Sequence, residues 1–151
     1  MKLLLQLATA LPLWALVSPE PAGPRPGFAA DVAVAPFTID RDSAGVLRAV
    51  ADTCFERLVR GLRAKGVAVA RYSELSEKTL RVARPVPWAV LGHLSHEQGQ
   101  FRAELRLVDV ESGDEMRSYL NAGKDPEVIG NLGAAAADRI ALFVQERKGA
   151  H

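Results

Sequence analysis

The sequence predicts an α/β (α+β) domain built on a mixed β-sheet, in the element order β-α-β-α-β-β-β-α, with the helices mainly on one face. Three observations carry this. Short valine-rich runs alternate with helical periodicity in the first half, three strand patterns follow one another at hairpin spacing, and a capped amphipathic helix closes the chain. The chain of 151 residues, 48% hydrophobic and 25% charged, is the size of one ordinary folded domain.

The first strand is "DVAVAPF", 31–37, short and apolar, stopping at Pro36 as a strand does at a sheet margin. In "DSAGVLRAVADTCFERLVRGLRAKG", Leu47, Val50, Ala51, Cys54, Leu58 and Leu62 fall at three- and four-residue steps, which is the apolar stripe of a helix. Asp42 or Ser43 can cap its start, and Gly66 can supply the left-handed residue past its end. "VAVA", 67–70, reads as a second buried strand. "SELSEKTLRVAR" reads as a weaker helix, opened by Ser73 or Ser76 and closed by Pro85 and Pro87.

"WAVLGHL", "QFRAELRLVDV" and "EMRSYL" are three consecutive strands. In the middle one Phe101, Ala103, Leu105 and Leu107 alternate with Arg102, Glu104 and Arg106, so one face is buried and one wet. The connections "HEQGQ" and "ESGD" are short and contain glycine, as hairpins do. In the last helix Asp125 is a natural cap, Pro126 suits the first helical position, and Glu127 favours the positive helix end. Ile129, Leu132, Ala136, Ile140 and Phe143 form its stripe, and Gly130 and Gly133 point to close packing on the sheet.

Residues 1–29 stand outside this domain, which spans 30–149. Lys2 precedes an apolar run, Leu3 to Val17, and then a Pro/Gly-rich stretch; the run is shorter than the roughly 20 residues of a comfortable span and matches the core of a secretory signal. The tidiest cleavage pattern places Gly27 and Ala29 before the cut, with an uncleaved N-terminal anchor as the alternative. A periplasmic or secreted protein without a stable membrane span is the expectation. Loss of Lys2, Glu20 and Arg25 with the signal takes the net charge from +1 to zero. Cys54 is the single cysteine, so no intramolecular disulfide forms and none is placed to carry a lipid after the signal. It falls on the apolar side of a helix, as a buried, inert thiol or, alternatively, as one half of a disulfide-linked dimer.

Asp109, Glu111, Asp114 and Glu115 crowd one glycine in "LRLVDVESGDEM". A calcium loop of the EF-hand type requires glycine at its sixth place and Glu at its twelfth, whereas Gly113 stands fifth and Leu120 twelfth; the acids fit a hairpin turn. "GLRAKG" lacks the ending of a phosphate-binding loop, and no Gly-x-Ser-x-Gly elbow occurs. His93 and His96, three apart on a strand, point to opposite faces. No catalytic residue, cofactor or metal is assigned. Tyr72 alone interrupts the basic stretch with an aromatic ring, which argues against nucleic acid as a partner.

"VAVAPF", "RAKGVAVARYSEL" and "WAVLGHLSHEQGQFRAELRLVDVESGDEM" resemble the N-terminal domain of the periplasmic protein TolB. That group also includes the curli secretion pore protein and lipoprotein activators of penicillin-binding proteins. The matching positions are Pro36 and Phe37, Gly66 with Val67 and Val69, Arg71, Leu91 directly before Gly92, Leu107 with Asp109, and Gly113 with Asp114 where the pattern has Glu. The resemblance covers nearly all of residues 31 to 120. It departs from the group in having no room for a β-propeller and no lipid-bearing cysteine. It implies the fold and a non-catalytic role in envelope assembly or protein recruitment, with a partner protein of the envelope.

Two surfaces are candidates for that partner. Arg57, Arg60, Arg63, Lys65, Arg71, Lys78, Arg81 and Arg84 outnumber Glu74 and Glu77 between 57 and 84, and would attract an acidic partner with a force that fades as salt rises. Met116, Arg117, Ser118, Tyr119 and Leu120 form the candidate edge strand, able to accept an extended peptide. The alternative is a small-ligand-binding module of the envelope, with a cavity near Trp88 and Tyr119. The oligomeric state is left open.

Overall fold

A computed structural model of the chain describes residues 30–40 and 44–149. The expected signal and linker, 1–29, and the expected helix caps Asp42 and Ser43 lie outside the described residues. The elements are β1 (Val32–Val34), β2 (Thr38–Ile39), α1 (Ala44–Ala64), β3 (Val69–Arg71), a 3₁₀ turn (Leu80–Ala83), β4 (Trp88–Glu97), β5 (Gln100–Asp109), β6 (Glu115–Gly123) and α2 (Pro126–Gly149). They form one mixed sheet in the order β3-β1-β4-β5-β6, and β2 pairs with β4 beyond the end of β1. Pairing among β1, β3 and β4 is parallel, as is that of β2 with β4, and β4, β5 and β6 run antiparallel.

Alternation assigns the two faces. Val32, Val34, Trp88, Val90, Leu94 and the inward residues of β5 meet Leu47, Leu58, Leu62, Ile129 and Ile140 from α1 and α2 in one core cluster. Each such side chain contributes about 1.5–3 kcal/mol by leaving water. On the opposite face Ala33, Ala89, Leu91 and Val108 are covered by Leu75, Leu80, Ala83 and Val86. The alanines keep this second layer thin, so a loop with one tight turn covers it where a helix would stand further off.

The expected helix over 73–84 is therefore corrected to the 3₁₀ turn Leu80–Ala83. Two forces override its propensity. The Thr79 hydroxyl accepts the Ser76 backbone N–H (2.8 Å), diverting a donor from a helical ladder. Leu80, Ala83 and Val86, all buried, recur every three residues, the period of a 3₁₀ helix.

The two long helices end as their residues dictate. At the end of α1, Gly66 (φ 83°) lets its own N–H reach the Arg63 carbonyl and that of Val67 reach the Leu62 carbonyl, both at 3.0 Å, with Leu62 and Val67 buried against the same core. Asp125 Oδ1 accepts the Glu127 N–H (2.9 Å) at the start of α2. The close approach expected of Gly130 and Gly133 is made to α1 and not to the sheet. A side chain at Gly133 would overlap the Cys54 carbonyl, one at Gly130 the Arg57 guanidinium, and one at Gly61 would lie 2.6 Å from the Ala137 methyl.

A second close approach links two of the family-like positions. The Phe37 ring lies over Gly92, where a Cβ would come within 2.7 Å of its Cγ, and it meets Phe55 of α1 edge to face at 5.4 Å. Asp31 is the buried charged residue among those described. Its carboxylate accepts the Ala68 N–H and the Lys148 ammonium, each at 2.9 Å, which fixes the last turn of α2 to the first strand.

Candidate partner-binding surface

The two ends of the sheet differ. At one end β3 has three residues and closes with Arg71, whose guanidinium pairs with Glu56 (2.9 Å) and lies over the Phe55 ring. Short, charged edge strands resist further pairing. At the other end β6 runs for nine residues without proline, and no described strand pairs with its outer side. It spans about 30 Å at the usual rise per residue.

The hairpin before β6 is closed by Asp109, one of the four acids noted in the sequence. Asp109 Oδ1 accepts the Ser112 N–H (2.9 Å), its carbonyl accepts the Gly113 N–H (2.7 Å), and Gly113 takes φ 80°. Met116 is the extra residue of a bulge opposite Leu107 and Val108. Beyond it, Arg117, Tyr119 and Asn121 face the helices, and Ser118, Leu120 and Ala122 face the wet side, opposite Arg106, Glu104 and Arg102. Arg117 lies over the Phe143 ring at 5.2 Å. Tyr119 packs on the core margin, where desolvation raises its pKa against the lowering influence of Arg117 and Arg139. Leu120 is 68% exposed.

Two open grooves cross the wet face. One of about 360 Å³ lies between the 75–78 loop and β4, held by the Glu77–Arg106 ion pair (2.6 Å); the other, about 530 Å³, continues past His93 and Glu104 to Leu120 and Ala122. Where they meet is a cluster that sequence reasoning missed. His93 Nδ1 is 2.7 Å from the Thr38 hydroxyl, and its Nε2 is 3.0 Å from Asp40 Oδ1. Only the β2–β4 pairing, which sets Thr38 beside His93, brings these distant residues together, so no local signal announced them. His93 and Asp40 are 53% and 44% exposed, and water competes for each bond. The cluster forms a latch between β2 and β4 on the exposed face of the sheet. His96 faces the other way, against Phe101. Among the described residues no three His, Cys, Asp or Glu side chains converge to hold an ion.

The basic residues of 57–84 are divided between the two layers of the molecule. Arg57, Arg60 and Arg63 are on α1, with Lys65 just after it, whereas Lys78, Arg81 and Arg84 belong to the segment covering the opposite face of the sheet. Acids pair with three: Arg57 with Glu127 (2.8 Å), Arg71 with Glu56, and Arg84 with Glu111 (3.1 Å). Cys54 is fully buried, and loss of solvation pushes its thiol up to about 12, outside reactive range. Trp88 borders a separate groove of about 410 Å³ with Arg84, Pro87 and Glu111, and Tyr119 is not among the residues lining it. No helix among the described residues is long and apolar enough to cross a membrane.

The sequence matches no protein-family model and no curated protein. Solved structures do match. PelC from Paraburkholderia phytofirmans, a dodecamer, aligns over 75% of this chain and 88% of its own, with 19% identity and a TM-score of 0.51. The Xanthomonas campestris protein XCC0632 aligns over 88% and 95%, with 13% identity and a TM-score of 0.52. TolB from Acinetobacter baumannii, bearing the name to which the sequence pattern pointed, aligns over 74% of this chain and 27% of its own, with 17% identity and a TM-score of 0.48. What this chain shares with PelC and XCC0632, at such identities, is the fold.

Proposed function

We propose that the protein is an exported, non-catalytic module of the bacterial envelope that recruits or assembles a partner protein along β6. One observation supports this above the others: a nine-residue edge strand stands open at one end of the sheet, while the other end is short and charged. An open strand offers a row of backbone donors and acceptors to an extended segment, and its alternate side chains add selectivity. The apolar run before residue 30 and the TolB-like pattern supply the compartment. Arg60, Arg63 and Lys65, exposed and without an ion partner among the described residues, supply long-range attraction to an acidic surface. The test is affinity capture of the tagged full-length chain from its native envelope fraction, at low and high salt, beside Leu120→Lys. A partner held by the wild type and lost from the variant is the expected result. A partner retained equally by both sinks the β6 assignment.

The groove between the 75–78 loop and β4 favours a second reading, a small-ligand-binding module. Its volume of about 360 Å³ and its mixture of Leu75 and Leu91 with Thr38, His93 and Arg106 suit a small polar molecule. A metabolite screen read by thermal shift, with Arg106→Ala as control, decides between the two.

A further inference from the structure

We infer that the segment docking along β6 is an acidic peptide strand of alternating pattern, its carboxylates taken by Arg117, Arg139 and Arg147 on the helix side and its apolar residues laid beside Leu120 on the other. This rests on β6 being the partner surface and names the chemistry of what binds there. The strand itself indicates which backbone groups are open. Asn121 Oδ1 accepts the Ala122 N–H (2.9 Å), so that N–H is turned outward and closed by the strand's own side chain, and at the other end the Arg117 guanidinium donates to the Met116 carbonyl (2.7 Å). An antiparallel strand alternates the side to which its residues turn their backbone groups, so Leu120 and Ser118 point N–H and C=O outward as Ala122 does. An extended segment bonded there places the side chains opposite Ser118 and Leu120 on the wet face. Those between and beside them fall on the helix face, next to Arg117, Tyr119 and Asn121.

The helix face of this edge is basic. α2 packs over β5 and β6, and its Arg139, Phe143 and Arg147 follow one another at four-residue steps along one side. Arg147 lies over the Phe143 ring at 4.7 Å and Arg117 of β6 over the same ring at 5.2 Å, which brings that side of the helix against the strand. Arg117 and Arg139 both lie close enough to act on the Tyr119 hydroxyl. All three arginines are exposed, and none has an ion partner among the described residues. Asp138 and Glu146 adjoin two of them in sequence, but one residue along a helix is a turn of about 100°, away from the row.

Three like charges gathered in this way repel one another, and a row of carboxylates relieves them. A guanidinium takes a carboxylate through two parallel bonds, and the Tyr119 hydroxyl adds a neutral donor among them. The wet face asks for the opposite character. Leu120 is 68% exposed between the small Ser118 and Ala122, and an apolar side chain laid over it removes both from water. A lipid headgroup or an anionic polysaccharide would satisfy the arginines but leave the outward backbone groups of Ser118 and Leu120, and the Leu120 side chain, unused. A peptide strand with acids on one face and apolar residues on the other uses the whole surface.

Fluorescence anisotropy of the full-length chain with short labelled peptides tests this, one alternating glutamate with valine, one lysine with valine and one glutamine with valine. The glutamate peptide is expected to bind, to weaken as salt rises and to slow amide exchange at Ser118 and Leu120, while the lysine peptide does not bind. Arg139→Gln together with Arg147→Gln, both at exposed helix positions, lowers the affinity about tenfold with the circular dichroism spectrum unchanged. Equal binding of the glutamate and lysine peptides, indifference to the two arginine changes, or binding of phosphatidylglycerol vesicles without binding of the glutamate peptide overturns the inference. A glutamine peptide that binds as tightly as the glutamate one, with the same slowed exchange, refutes only the acidic pattern and leaves the β6 reading standing. A glutamate peptide that binds without slowing exchange anywhere on β6 sinks both.

Discussion

Replacing Gly133 with alanine sets two effects of known size against each other. In a helix interior alanine is favoured over glycine by about 1 kcal/mol, so propensity alone predicts a more stable protein. The new methyl, however, overlaps the Cys54 carbonyl oxygen and lies 3.2 Å from the Cys54 sulfur. The obstacle is α1 backbone, which cannot rotate away as a side chain does, so the helices must separate along a seam that also contains Gly61 and Ala137. Overpacking of this kind costs up to about 3 kcal/mol, leaving a net loss of about 2 kcal/mol. At about 4 °C per kcal/mol for a domain of this size, the midpoint falls by about 8 °C. Thermal and urea unfolding followed by far-ultraviolet circular dichroism measure both quantities. Gly45→Ala is the matched control: a methyl there meets nothing within 4 Å, so stability should hold or rise slightly. A Gly133→Ala protein as stable as the wild type would refute the close-seam argument.

Three further outcomes are expected. Gly92→Ala should lose about 1–3 kcal/mol because its methyl enters the Phe37 ring, and Phe37→Leu in the same chain should recover part of it, as a double-mutant cycle will read. Stability should fall by about 1.4 kcal/mol per pH unit between pH 9 and about pH 12 through Cys54. Its folded thiol stays protonated to about 12 while the unfolded thiol ionises near 9.0, so the contribution is whole below pH 9 and lost above; Cys54→Ala should flatten this part of the profile. Lys148→Met should destabilise by about 3 kcal/mol in urea titrations, since it leaves the Asp31 carboxylate buried with the Ala68 N–H as its remaining partner.

What could be read from residues alone was what short-range chemistry decides. The Asp125-Pro126-Glu127 start of α2, the Gly66 stop of α1, and the in-out alternation of β5 are local signals, and each element formed where they placed it. The 73–84 segment went the other way because its structure answers to a neighbour. Alanines on β1 and β4 admit a thin layer, and the three-residue step of Leu80, Ala83 and Val86 follows from that contact. β2 is two residues long and exists by virtue of its pairing with His93 and Leu94, so neither it nor the His93 latch had a pattern to betray it. Gly130 and Gly133 signalled a close approach, but only the packing of two helices on one face could say that the surface approached was α1.

The Asp31–Lys148 contact gives the chain a property unrelated to binding. It brings the beginning of the first strand and the last turn of the final helix to within one ion pair, 2.9 Å, at a corner three strand positions, or about 14 Å, from β6. A loop of a few residues could therefore join those two points, and new termini could be opened at Gly113 in the exposed turn before β6 without breaking a strand. Such a circular permutant would keep every packed layer while turning β6 from an internal segment into the first element of the polypeptide.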